Sequence, residues 1–294
     1  MQADRTGTEL GARPVVGVLH PGAMGASLGA ALKARAGQVV WAADGRSYAT
    51  AKRAELADLV AVRDVAELVA IADVVVSICP PAAALDVAKQ VNGHASAGRP
   101  ALYVDANAVA PGTVEQLGAL LGPERVVDAC VIGPPAWRPD TTQLWASGTS
   151  AEAVVELFAG SPVEAHALGP RLGSASALKA CYGLQSKAVP ALWLALAAAA
   201  DRYGVRDALQ IELARDGVDL GAELAEISRR SAPKAWRWIG EMEEAAAAMV
   251  AAGLPGGFSA AAAEIYRRIE AGVGKGEDPD AADAVIDAVG HVES

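Results

Sequence analysis

Aromatic residues are scarce: Phe, Trp and Tyr together make up 4% of the 294 residues. A chain so poor in rings offers few stacking platforms for nucleobases, and its interior has to be filled by Ala, Val and Leu. Cysteine is nearly absent as well. Cys79, Cys130 and Cys181 stand far apart, a spacing that excludes a disulfide framework or a cysteine-based zinc site and fits a reducing cytoplasm, so no metal is expected. Long apolar runs are also missing: the strongest, residues 188–200, is too short for a bilayer and is bounded by Lys187 and Asp201. Residues 1–13 are polar, lack the apolar core of a secretory signal and are expected to form a flexible extension. Positive charge is in deficit, with 25 Lys and Arg against 35 Asp and Glu and a net charge of −10. That balance repels phosphodiester backbones and anionic headgroups, so neither nucleic acid nor membrane is an expected partner, and a small molecule is.

What is present is an ample apolar content, 52% of residues, arranged in a rhythm. Short β-branched runs at residues 15–19, 39–43, 74–78, 101–105 and 125–130 read as buried parallel strands, each followed by a helix-like segment; two more strands are expected at 141–147 and 163–168. Such repetition predicts right-handed βαβ units, a doubly wound α/β sheet, and ligands at the carboxyl ends of its strands. After Gly173 the pattern changes. Residues 177–203 read as one long Ala- and Leu-rich helix, followed by amphipathic helices near 207–213, 220–229, 235–252 and 259–271, with Ser259 a candidate cap after the break at 253–257. The expected organisation is an extension (1–13), a nucleotide-binding domain (14–172), an interdomain helix (173–204) and an all-α domain (205–294).

Gly17-Val18-Leu19-His20-Pro21-Gly22-Ala23-Met24-Gly25 is the most informative stretch, because it follows a strand and opens a helix. Small residues at such a turn let a pyrophosphate approach the helix N-terminal amides. His20, Pro21, Gly22, Ala23 and Met24 are therefore candidate cofactor contacts in a Rossmann-type domain, with His20 in place of the first glycine of the usual G-x-G-x-x-G. The other reading is a tight strand-to-helix turn in an α/β protein without cofactor. After the second strand, Arg46 and Ser47 suit the 2′-phosphate of NADP(H), whereas the adjacent Asp44 keeps NAD(H) open; NADP(H) is favoured. Arg46 in a loop is equally compatible with a merely solvated side chain. Cys79-Pro80-Pro81 follows a strand directly and predicts a rigid turn against the cofactor rather than a reactive thiol.

These segments resemble the β-hydroxyacid dehydrogenases, a superfamily that includes 6-phosphogluconate dehydrogenase and the imine reductases. Residues 20–25 are similar to its G-L-G-x-M-G turn, Asp105-Ala106-Asn107-Ala108-Val109-Ala110-Pro111 to its D-x-S-T-x-x-P segment, and Asp128-Ala129-Cys130-Val131-Ile132-Gly133-Pro134 to its D-A-P-V-S-G-G. Gly173-Ser174-Ala175-Ser176-Ala177-Leu178-Lys179 is similar to its G-x-G-x-x-x-K, with Ala175 where the second glycine would stand. The match is closest to a bacterial 6-phosphogluconate-dehydrogenase-like branch with a C-terminal domain of unknown function, and it covers residues 15–269. The resemblance implies an NADP-dependent dehydrogenase or reductase, with Lys179 as catalytic acid/base, and a homodimer formed through the C-terminal helices. Near the start of an apolar helix, partial burial is expected to lower the Lys179 pKa, although lysines in such helices also snorkel without catalytic purpose.

Asn107 is a candidate for both nicotinamide and substrate contact, or else a turn-stabilising residue. Gly133 and Pro134 would shape the opposite wall of the substrate site. Tyr182 occupies the helix face of Lys179, where the family places an asparagine, and reads as a substrate hydrogen-bond donor or a packing tyrosine. Trp238 and Met242, with Trp236 and Glu241, would close an apolar pocket over substrate or cement a dimer, core packing being the default for each. Hydride transfer to or from a carbonyl or alcohol carbon is the leading expectation. Imine reduction, decarboxylating sugar-acid oxidation and a non-catalytic NADP-binding sensor are the alternatives.

Overall fold

The computed structural model describes residues 10–95, 100–277 and 282–291. Most of the expected N-terminal extension, residues 1–9, lies outside them. The chain divides into two compact units, the first ending at Lys179 and the second starting at Ala180.

The first unit is built on eight strands: β1 (Val15–Leu19), β2 (Gln38–Ala42), β3 (Val60–Val62), β4 (Val74–Ser77), β5 (Leu102–Asp105), β6 (Val126–Ile132), β7 (Thr142–Ser147) and β8 (Val163–Ala167). Their spatial order is β3-β2-β1-β4-β5-β6-β7-β8, and every neighbouring pair is parallel except β6 and β7. This is the doubly wound sheet that the apolar rhythm predicts, with its last two strands, β7 and β8, running opposite to the others. The edge strand β3 escapes sequence reading because it is three residues long and largely solvent-facing.

Alternation along the strands sends side chains to two separate cores. Val16, Val18, Val39, Trp41, Val74, Val76 and Val104 pack on one face with helices α1 (Ala23–Leu32), α2 (Tyr48–Leu56) and α6 (Ala151–Leu157). Leu19, Val40, Val75 and Tyr103 face the other way, against α3 (Val65–Ile71), α4 (Ala84–His94) and α5 (Pro111–Leu121). Burial of large aliphatic side chains contributes about 1.5–3 kcal/mol each, so both faces are strongly specified.

A helical run opens with α7 (Ser174–Gly183) and continues through a π-helical segment, Leu184–Ala188, into α8 (Val189–Arg202). The single helix expected over 177–203 is thus interrupted. Pro190 explains the interruption: it lacks the N–H that would bond four residues back, and its ring crowds that turn. The carbonyl of Lys187, within the π segment, also accepts a hydrogen bond from the Tyr266 hydroxyl at 2.7 Å.

The second unit continues with α9 (Arg206–Arg215), α10 (Leu220–Ser231), α11 (Ala235–Ala251), α12 (Gly257–Val273) and α13 (Ala282–Gly290). Its core gathers Leu194, Leu220, Leu224, Trp238, Met242, Tyr266, Ile269 and Ile286. Ser259 does not cap α12; it lies inside the helix and is fully buried, because the helix starts two residues earlier, after the Gly256 backbone. A Cβ at Gly256 would come within 2.9 Å of the Ala246 carbonyl, so this turn requires a residue without a side chain. Among the described residues no helix is long and apolar enough to cross a membrane, and no group of His, Cys, Asp and Glu is arranged to hold a metal ion.

Candidate active site

Strand order reverses at β1, whose neighbours are β2 and β4, and the carboxyl ends of these strands carry the predicted cofactor segments. His20 follows β1 with φ +61°, a left-handed conformation that glycine adopts without cost, which accounts for the glycine usual at this point of the motif. The Gly22 N–H donates to the His20 carbonyl at 2.7 Å, closing the turn, and Gly22 then becomes the N-cap of α1. No side chain caps that helix, which leaves its first-turn amides to an anionic ligand. A Cβ on Gly22 would meet no atom nearer than 4.0 Å, so open space lies beside these amides. Gly25 is the opposite case. A Cβ there would approach the His20 carbonyl oxygen and Ile78 Cγ2 to 2.8 Å, so only glycine lets α1 start this close to the sheet. Pro21 is buried, Met24 half-buried and Ala23 exposed.

Arg46 lies in the turn after β2, half-buried, with its N–H on the Ala43 carbonyl at 3.2 Å. Burial first, and the positive charge of Arg46 second, bring the His20 pKa down to about 4, so the imidazole is neutral at pH 7. The Arg46 charge is also felt at Cys79, beyond the end of β4, which places its influence across the crevice between β1 and β4. Ser47 caps α2, its hydroxyl accepting the Thr50 N–H at 3.2 Å. A glycine cradle, uncapped helix amides and a guanidinium at one strand edge are a donor set that fits the phosphates of a dinucleotide.

Cys79 carries no nucleophile: burial pushes its thiol up to about 11, so it stays protonated at neutral pH. Its N–H donates to Asn107 Oδ1 at 2.6 Å, while Asn107 Nδ2 donates to Asp105 Oδ1 at 2.5 Å and to Ser77 Oγ at 3.3 Å. Asn107 is buried, and both ends of its amide brace the ends of β4 and β5 against each other. Pro80 is exposed and Pro81 opens a short 3-10 turn leading into α4.

The loop from β6 to β7 carries Gly133 and Pro134, both exposed. Gly133 has φ +124°, and a Cβ there would lie 2.3 Å from the Thr141 carbonyl oxygen, so no other residue fits. Two bonds fasten the loop: Thr142 Oγ1 donates to the Pro134 carbonyl at 2.7 Å, and the Ala136 N–H donates to Ser27 Oγ, on α1, at 2.9 Å. This second bond holds the proposed substrate wall beside the helix of the glycine turn.

Lys179 is half-buried on α7, and its ammonium donates to the carbonyl of Val131 near the carboxyl end of β6. The helix carrying it is anchored by Asp128, fully buried on β6. Asp128 Oδ2 accepts the Ser176 N–H at 2.9 Å and the Ser147 hydroxyl at 3.0 Å, while Oδ1 accepts the Ser176 hydroxyl at 2.7 Å. Ser147 Oγ in turn accepts the Ala175 N–H at 3.1 Å. Sequence reasoning noticed Asp128 and Ser176 only as parts of motifs and passed over Ser27 and Ser147, since nothing local marks a serine whose partner is 19 to 109 residues away.

Three candidates belong to the second unit. Tyr182 is 45% exposed, whereas Trp238 and Met242 are buried. Trp238 packs edge-on against Tyr266 with ring centroids 5.1 Å apart, and the Lys187 ammonium lies 5.9 Å from its ring and 2.7 Å from Glu241 Oε2.

Residues 200–269 match a family model described as a domain of unknown function, DUF1932. A curated relative, an uncharacterised 28.5 kDa protein from Methanothermus fervidus, is 32% identical over 167 residues, 56% of this chain and 62% of its own length. Among solved structures, a conserved hypothetical protein from Sinorhizobium meliloti has a TM-score of 0.69 at 23% identity, over 94% of this chain and 96% of its own. The 3-hydroxyisobutyrate dehydrogenase of Mycobacterium tuberculosis gives 0.64 at 21% identity, over 94% and 99%. A reductive aminase from Aspergillus terreus, solved with NADPH, gives 0.53 at 16%, over 94% and 99%. At these identities the structural likeness is one of fold, and it supports the resemblance carried by the motifs. The chain has the fold of the 3-hydroxyacid dehydrogenases, and part of its C-terminal helical region matches the DUF1932 model.

Proposed function

We propose that the protein is a nicotinamide-dependent oxidoreductase that prefers NADP(H) and reduces a carbonyl, or oxidises the matching alcohol, of a small substrate. The observation that carries this reading is the pairing, at the carboxyl ends of one sheet, of an uncapped glycine turn after β1 with a half-buried lysine against the end of β6. Gly22 and the first-turn amides of α1 would hold the pyrophosphate, and Arg46 with Ser47 the 2′-phosphate. The nicotinamide supplies or accepts the hydride when bound. Pro80 and Pro81 would wall the crevice without offering competing donors, and the protonated Cys79 thiol adds no rival nucleophile.

Lys179 performs the proton transfer, giving a proton from Nζ to the substrate oxygen during reduction and taking it back during oxidation. The Val131 carbonyl orients the ammonium through one of its three donors. The loop at Gly133 and Pro134 would place the substrate carbonyl against it. A second reading, reduction of a C=N bond, is supported by the fold shared with the Aspergillus reductive aminase. The retained lysine favours the carbonyl.

Titration with NADPH and NADH, followed by nicotinamide fluorescence, tests the cofactor, with tighter binding of NADPH expected. A panel of carbonyl, alcohol and imine substrates then tests the chemistry. Lys179→Ala is expected to leave NADPH affinity nearly unchanged and to lower turnover by about 10²- to 10⁴-fold. Wild-type turnover in that variant overturns the lysine assignment, and NADPH binding without turnover on any panel member favours a cofactor-binding sensor.

A further inference from the structure

We propose that Asp128 is a positioning residue for Lys179, fixing the start of α7 on β6 through Ser176 and Ser147 so that the lysine ammonium is held at the Val131 carbonyl. The inference rests on the catalytic reading of Lys179 for its functional meaning, but its geometry stands on its own.

Four hydrogen bonds make the anchor: Ser176 N–H and Ser176 hydroxyl to the Asp128 carboxylate, Ser147 hydroxyl to the same carboxylate, and Ala175 N–H to Ser147 Oγ. Together they satisfy two of the orphan amides at the helix start with groups that are themselves fully or almost fully buried. Ser176 and Lys179 are three residues apart on α7 and so share a helix face. Their partners Asp128 and Val131 are also three apart, on β6, and both contacts join residues 48 positions apart in the chain. Three residues of helix rise about 4.5 Å and three of strand about 10 Å. A short serine at one contact and a long lysine at the other absorb that difference. Cys130, buried on β6 between the two contacts, feels the charges of both Lys179 and Asp128.

Burial drives the Asp128 carboxyl above its ordinary range, while the bonds from Ser176 and Ser147 pull the other way. A buried acceptor of this kind holds its donors firmly, because each partner left unsatisfied is costly. Lys179 is the first chemically reactive side chain after the anchor, and its reach is too long for the helix alone to fix its tip.

The test measures access to Lys179 without any substrate. The purified full chain is reductively methylated with formaldehyde and dimethylamine–borane, and the rate at Lys179 is followed by peptide mass spectrometry relative to the exposed Lys52. In Asp128→Ala the Lys179 rate is expected to rise about five- to tenfold, the equivalent of one hydrogen bond's net worth. Asp128→Asn, which keeps one acceptor and can donate to the Ser176 hydroxyl, is expected to restore the wild-type rate. Circular dichroism confirms folding; if Asp128→Ala does not fold, Ser147→Ala decides, with an expected rise of about twofold or more from the two anchor bonds that Ser147 makes. A Lys179 rate unchanged in a folded Asp128→Ala protein, or unchanged in Ser147→Ala, overturns the proposal, as does an Asp128→Asn rate equal to that of Asp128→Ala. Full turnover in Lys179→Ala would remove the catalytic reading and leave the labelling result as it is, so the two failures are told apart.

Discussion

At the scale of the residue, His20 shows how a motif position can keep its backbone and change its chemistry. The turn needs a left-handed φ here, which glycine supplies freely, and the histidine accepts that conformation at some strain. Its side chain is then neutral at pH 7, because burial and then Arg46 bring its pKa down to about 4, against 6.5 unperturbed. For a base with a depressed folded pKa, the unfolded chain binds the extra proton between these values, so stability rises with pH across the window. The expected outcome is a thermal midpoint that is constant above pH 6.5 in this respect and falls as the pH drops from 6.5 towards 4. His20→Asn tolerates the left-handed backbone and does not titrate, so its midpoint should fall less steeply over that range. Identical profiles for the two proteins, measured by calorimetry at intervals of half a pH unit, would rule out His20 as the source.

Among elements, the helical run from α7 to α8 departs most from its sequence pattern. Its apolar periodicity runs unbroken through Pro190, and periodicity alone reports nothing about a missing donor. The π segment at Leu184–Ala188 relieves the proline, and the Tyr266 hydroxyl, contributed by α12, donates to the Lys187 carbonyl. Tyr266 is fully buried, so Tyr266→Phe removes the bond to that carbonyl while preserving the ring packing against Trp238. A destabilisation of about 1–3 kcal/mol is expected in urea unfolding; a change within about 0.5 kcal/mol, the range of an ordinary surface substitution, would mean that the bond contributes nothing net. The same scale shows why β3 went unread and why Ser259 was taken for a cap. A three-residue edge strand carries too few alternations to register, and the start of α12 is set by the close approach of Gly256 to Ala246 rather than by a capping hydroxyl.

For the whole molecule, the sheet order gathers every candidate cofactor contact at the carboxyl ends of the four consecutive strands β2, β1, β4 and β5 and leaves β8 at the far end of the strand order. Saturating NADPH is therefore expected to protect amides in residues 20–26, 44–50 and 79–84 from hydrogen exchange, with little change in residues 151–167. Uniform protection across the first unit would point instead to global stabilisation by mass action, and protection confined to residues 151–167 would place the nucleotide elsewhere. Such a map needs no turnover and separates a bound cofactor from an adventitious one.

The sequence by itself determined the strands of the doubly wound sheet other than β3 to within a residue or two, the glycine turn and the change to all-helical structure after Gly173, because hydrophobic period and backbone-permissive residues are local properties of the chain. Tertiary structure alone decided that β7 runs against β6, that both ends of Asn107 brace β4 to β5, that Trp238 and Met242 sit in a core, and that Asp128 anchors the helix of Lys179. Each of these depends on which buried donor finds which acceptor tens of residues away. That choice is made by the packing of the whole unit, since a buried polar group left unpaired costs more than any local preference can return.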